Sequence, residues 1–133
     1  MKILIAYASS LAAFLALDFV WLSLMVQRLY RPALGDLLAE RPRMLAAATF
    51  YLAYAAGLVF LAIVPAIKDG HAGRAALNGL VFGAVAYATY DLTNQATLRI
   101  WSTKVTIADI AWGAVATALA SLAGYLVVRA VAR

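Results

Sequence analysis

Four stretches of this 133-residue chain run long without a charge that would hold them in water. Ile3 to Leu17 is uncharged, and the apolar run continues past Asp18 to Val26. Met44 to Ile67 is free of charge throughout. Ala75 to Tyr90 is too, and it continues in a more polar vein to Leu98. Val105 to Val128 is broken only by Asp109. A run of about 20 apolar residues is long enough to cross the hydrocarbon core of a bilayer. Within that core the backbone must satisfy its own hydrogen bonds, so each stretch reads as a helix. The spacing predicts helices at roughly 3–27, 44–67, 74–98 and 105–129, making a single transmembrane domain of residues 1–133. The expected fold is all-α, an integral membrane four-helix antiparallel bundle. The first segment has the lysine and apolar stretch of a leader, but no convincing small-residue cleavage site follows. It is expected to remain as a membrane helix.

Composition agrees with this reading. The chain is 66% hydrophobic and 13% charged, where a soluble domain has about 45–50% and about 25%. Such values exclude a soluble globular domain, a disordered chain and a nucleic-acid-binding protein. The net charge of +5 is expected to mark membrane flanks. With no cysteine and one histidine, neither a thiolate nor a multi-histidine metal centre is expected. The sequence names no cofactor.

The connections carry most of the charge. Arg28 to Arg43 is the longest, with Leu34, Leu37 and Leu38 on one face between Pro32 and Pro42. A short interfacial helix and an irregular charged loop both fit it. Basic residues divide almost evenly between the two faces. Arg28, Arg31, Arg41, Arg43, Arg99 and Lys104 fall on one, and Lys2, Lys68, Arg74, Arg129 and Arg133 on the other. The four arginines after the first helix favour a cytoplasmic position for that loop. The near balance also leaves room for dual insertion and a homo-oligomer.

Of the six acids, Asp36, Glu40 and Asp69 fall in connections, and Asp18, Asp91 and Asp109 fall inside helices. An acid at the bilayer centre costs about 2.5–3.5 kcal/mol, which makes each a functional candidate. Antiparallel threading carries all three toward one membrane face, where Thr49, Tyr51 and Tyr54 also arrive. Helical periodicity places Gly79, Gly83, Tyr87, Tyr90, Asp91 and Asn94 on one arc of the third helix. It places Asp109, Trp112, Gly113, Ala116, Ala120 and Gly124 on one stripe of the fourth. The candidate ligand or proton site is therefore Asp18, Asp91, Asp109, Asn94, Tyr87, Tyr54, Trp21 and Trp112. Gly79, Gly83, Gly113, Ala116, Ala120 and Gly124 are expected to let helices approach closely. Asp18-Phe19-Val20-Trp21 and Asp109-Ile110-Ala111-Trp112 share the pattern D-x-x-W, which sets a carboxylate beside an indole.

Each acid also has a plain structural reading. Asp18 would bond to a tyrosine or asparagine across helices. Asp91 would end its helix near Arg99 or Lys104. Asp109 would close a capping box begun at Thr106.

The combination of Leu17-Asp18-Phe19-Val20-Trp21-Leu22, Phe50-Tyr51-Leu52-Ala53-Tyr54, Ala76-Leu77-Asn78-Gly79, Tyr90-Asp91-Leu92-Thr93-Asn94 and Asp109-Ile110-Ala111-Trp112-Gly113 resembles an uncharacterised bacterial family. Its members are short four-helix inner-membrane proteins catalogued as a domain of unknown function. The resemblance implies a multi-pass protein of the bacterial inner membrane and supplies no activity.

Three functions follow from the acids. The first is a membrane-embedded binding or transport module, its carboxylate-lined pocket taking a proton, a cation or an amphiphilic small molecule. The second is a small enzyme acting on a lipid or isoprenoid, with aspartates as acid and base or as Mg²⁺-binding groups. The third is a structural accessory subunit. The expected partners are the lipid bilayer and a small-molecule or lipid ligand, with no nucleic acid.

Overall fold

The computed structural model describes residues 1–132. Arg133, counted above with the second face, lies outside them. The chain forms four helical rods. The first is continuous from α1 (Lys2–Met25) through a π-turn (Val26–Tyr30) and α2 (Arg31–Leu34) to a 3-10 turn (Gly35–Leu37). The second joins α3 (Met44–Leu58), a π-turn (Val59–Ile63) and α4 (Val64–Asp69). The third and fourth are α5 (Ala72–Thr97) and α6 (Thr103–Val131). The first, second and fourth rods are long and apolar enough to cross a membrane. At 1.5 Å per residue, α5 is about 39 Å long, and Asn78, Asp91, Asn94 and Gln95 make it more polar. The fold is an all-α membrane bundle.

Both π-turns end just before a proline, and the proline explains them. Proline has no amide hydrogen and its ring clashes with the carbonyl four residues earlier. Ahead of Pro32, the Arg31 amide reaches back five residues to the Val26 carbonyl. Ahead of Pro65, the Val64 amide reaches back to Val59 in the same way. Each rod thus passes its proline with one widened turn and no break. Residues 28–37, expected in the first connection, are therefore helical. The irregular connection is only 38–43.

The rods run antiparallel, and small residues set their spacing. A β-carbon at Gly79 would lie 2.7 Å from the Thr117 carbonyl oxygen, and one at Gly83 would lie 2.6 Å from the Thr117 hydroxyl. Only glycine permits this approach of α5 to α6. Gly113 leaves space for the Tyr87 ring, and Gly124 leaves space for Ile63. Ala116 and Ala120 are fully buried. The turn between α4 and α5 uses the left-handed conformation of Gly70 (φ 68°) and an exposed Arg74–Asp69 ion pair of 2.8 Å.

Burial falls into layers along the bundle. Ala6, Ile63, Ala66, Ala75, Tyr125 and Val128 pack at one end. Phe14, Tyr54, Leu58, Ala116 and Ala120 fill the middle. Asp18, Asp91 and Asp109 form a third, acidic layer, each less than a tenth exposed. The outer surface is apolar, with Leu4, Phe19, Leu45, Phe60, Val85 and Ile107 all more than half exposed. Rods that are apolar on every side suit a lipid surround.

Candidate functional site

Asp18 reaches the acidic layer from α1 and is fully bonded. It accepts a hydrogen bond from the Tyr51 hydroxyl of α3 at one oxygen. At the other it accepts from the Trp112 indole of α6 at 3.2 Å. Three rods therefore meet at one carboxylate. The tyrosine bond is the kind of interhelical link expected from its structural reading.

Asp109 is held by a residue that the periodicity did not select. The Tyr30 hydroxyl donates to Asp109 at 2.5 Å and accepts from the Trp21 indole at 2.9 Å. Tyr30 is nine residues beyond Trp21, which would place it on the opposite face of an unbroken α-helix. The π-turn inserts about one residue and swings Tyr30 by about 100° toward the bundle interior. The signal was Pro32, which fixes where the widened turn falls.

Asp109 does not close a capping box. Ser102 is the N-cap, and its hydroxyl accepts from the Val105 amide at 3.3 Å. Helix α6 therefore starts at Thr103, and Asp109 lies in its second turn. The Thr106 hydroxyl instead accepts from the Trp101 indole at 2.9 Å.

The two D-x-x-W segments meet as a local pair. Antiparallel packing sets Asp18 against Trp112 and Trp21 toward Asp109. The two indoles stack with centroids 4.6 Å apart and planes 5° from parallel. The Asp18–Trp112 link is direct, and the Trp21–Asp109 link passes through Tyr30.

Asp91 is the exception in the layer. It is fully buried, and neither carboxyl oxygen has a partner donor in the protein. Asp109, on the neighbouring helix α6, lies in the same buried layer. A buried carboxyl without a hydrogen-bond partner carries the full cost of its lost hydration. Among the described residues, none of the three acids forms an ion pair, and neither Arg99 nor Lys104 pairs with Asp91.

The other candidates surround this layer. Tyr54 is buried in the middle layer, its hydroxyl 2.8 Å from that of Thr117, and its ring stacks on Phe82 at 4.9 Å. Tyr87 packs on Gly113. Asn94 is half-buried one turn beyond Asp91. A cleft of about 500 Å³ runs from Asp18 and Asp109 to the segment joining the first two rods, with Tyr30, Tyr87, Tyr90, Trp101 and Trp112 in its walls. A smaller one of about 390 Å³ touches Asp109 from the Tyr54 side and shares Tyr87 and Tyr90. Asp91 and Asn94 line neither, so Asp91 stands behind the cleft-lining Asp18 and Asp109 in the same layer. At the opposite end, a separate cleft of about 540 Å³ contains Lys2 and Arg129 and no acid.

An apolar helical exterior around a buried acidic layer defines the class, a membrane-embedded helical bundle protein. The chain belongs to the family described as Predicted membrane protein (DUF2177), which it matches over residues 3–126. No curated protein and no solved structure matches it.

Proposed function

We propose that this protein is a multi-pass module of the bacterial inner membrane that binds or transports a cationic amphiphile. Its cationic head would exchange with the proton held in the acidic layer. The observation that carries this reading is Asp91. A fully buried carboxyl with no hydrogen-bond partner is costly in a membrane interior. Among the described residues no ion pair offsets that cost, and a bound proton or cation would relieve it. The aromatic walls of the larger cleft add a surface that attracts organic cations. The apolar side chains beside them suit a hydrocarbon chain.

Asp18 favours a second reading. Both of its oxygens have donors, which suits a structural accessory subunit whose polar groups bind helices together. The two readings differ in what a soluble probe does.

All three tryptophans lie in or against the larger cleft, so intrinsic fluorescence reports its occupancy. Octyltrimethylammonium, added below its micelle-forming concentration to protein in nanodiscs, is expected to give a saturable change. Octyl glucoside, with the same chain and no charge, is expected to give none. Asp109→Asn should weaken the ammonium response at least about tenfold, equivalent to about 1.4 kcal/mol. Equal responses to both probes, or an unchanged response in Asp109→Asn, would refute the proposal.

A further inference from the structure

The larger cleft carries opposite charges at different depths. Asp18 and Asp109 lie at its inner end, 7% and 9% exposed. Arg31 and Glu40 line it from the segment that joins the first two rods, and both are exposed. Arg31 directly follows Tyr30, which is bonded to Asp109, and its exposed side chain lines the same cleft as Asp109. Among the described residues, Arg31 has no ion-pair partner, not even Glu40 across the same cleft. Between rim and floor run apolar side chains from the first rod, Leu22, Val26 and Leu34.

We infer that the ligand is a zwitterionic amphiphile carrying an ammonium and a phosphate. This rests on the proposed cation site and names the ligand class for it. The ammonium meets Asp18 and Asp109 among the aromatic rings. The phosphate meets the Arg31 guanidinium, whose planar fork matches phosphate oxygens. The chain lies along Leu22, Val26 and Leu34. Glu40 on the rim repels a ligand that carries only negative charge. The exposed position of Arg31 lets a charged head enter before its ammonium is desolvated, which lowers the cost of reaching the inner carboxylates.

The probes are octylphosphocholine, octyltrimethylammonium and octyl phosphate, each below its micelle-forming concentration, with tryptophan fluorescence as readout. Octylphosphocholine is expected to bind at least about tenfold more tightly than octyltrimethylammonium, and octyl phosphate more weakly than either. Arg31→Gln should remove the advantage of the phosphocholine and leave octyltrimethylammonium binding unchanged. Arg31→Lys should restore part of it. Arg31 is exposed, so these variants are expected to fold. Equal binding of the two ammonium probes, or an advantage that survives Arg31→Gln, overturns the zwitterion while the cation site stands. Tightest binding of octyl phosphate, lost in Arg31→Gln, assigns the rim to a phosphate alone and overturns it as well. Failure of both ammonium probes removes the cation site itself.

Discussion

At the scale of single residues, the acidic layer is three carboxyls in three different states. Asp18 is bonded twice by neutral donors, Asp109 once by Tyr30, and Asp91 by no donor of the protein. The sequence makes all three acids legible, because a charge inside an apolar run stands out. It does not reveal which acid is satisfied, because that depends on donors from other rods. Tyr51 could be placed in the right layer by antiparallel threading, but Tyr30 could not, since α-helical periodicity turns it away from Trp21. Two variants separate the states. Tyr30→Phe removes a hydrogen bond to a buried acid and is expected to cost about 0.6–2 kcal/mol, the range for interhelical bonds in membranes. Asp91→Asn replaces a buried carboxyl that has no hydrogen-bond partner with a neutral amide of the same shape, so stability should fall by less than in Tyr30→Phe. Reversible unfolding in mixed micelles measures both. A larger loss in Asp91→Asn would contradict an unpartnered Asp91.

At the scale of elements, the four rods follow from the length and apolarity of the runs, while their internal irregularities follow from two prolines. Pro32 looks like the start of a short surface helix when only the neighbouring charges are read. In the fold it lies inside a continuous rod and widens the turn before it. The leucines at 34, 37 and 38 suggested a separate amphipathic piece. Leu34 and Leu38 instead face the cleft beside Asp18 and Asp109. The capping box at Thr106 failed for a similar reason, because Ser102 offered an earlier cap. Local motifs compete with their neighbours, and the winner depends on where the chain must turn. The π-turn account predicts coupling between Pro32 and Tyr30. Pro32→Ala lets the α-helical ladder close and carries Tyr30 away from Asp109. Pro32→Ala and Tyr30→Phe should therefore be non-additive, the double variant losing little more stability than the more damaging single one. Simple additivity would show that the turn does not position Tyr30.

At the scale of the whole molecule, the bundle is apolar outside and uses small residues within. Packing is close where α5 meets α6 at Gly79 and Gly83, and the three buried acids gather at the other end. That gradient was legible from the glycine and aspartate positions on α5 and α6, since both stripes recur with helical spacing. The cleft was less legible, because Arg31, Leu34 and Glu40 come from a segment whose path is set by the π-turn. The central claim is that a proton held in the acidic layer, where Asp91 has no hydrogen-bond partner, gives way to a cation. Its most direct test is calorimetry of octyltrimethylammonium binding at one pH in buffers of different ionisation enthalpy. The account predicts heats that differ between buffers, corresponding to release of about one proton per cation bound, with the difference abolished in Asp91→Asn. Binding with the same heat in every buffer would contradict it.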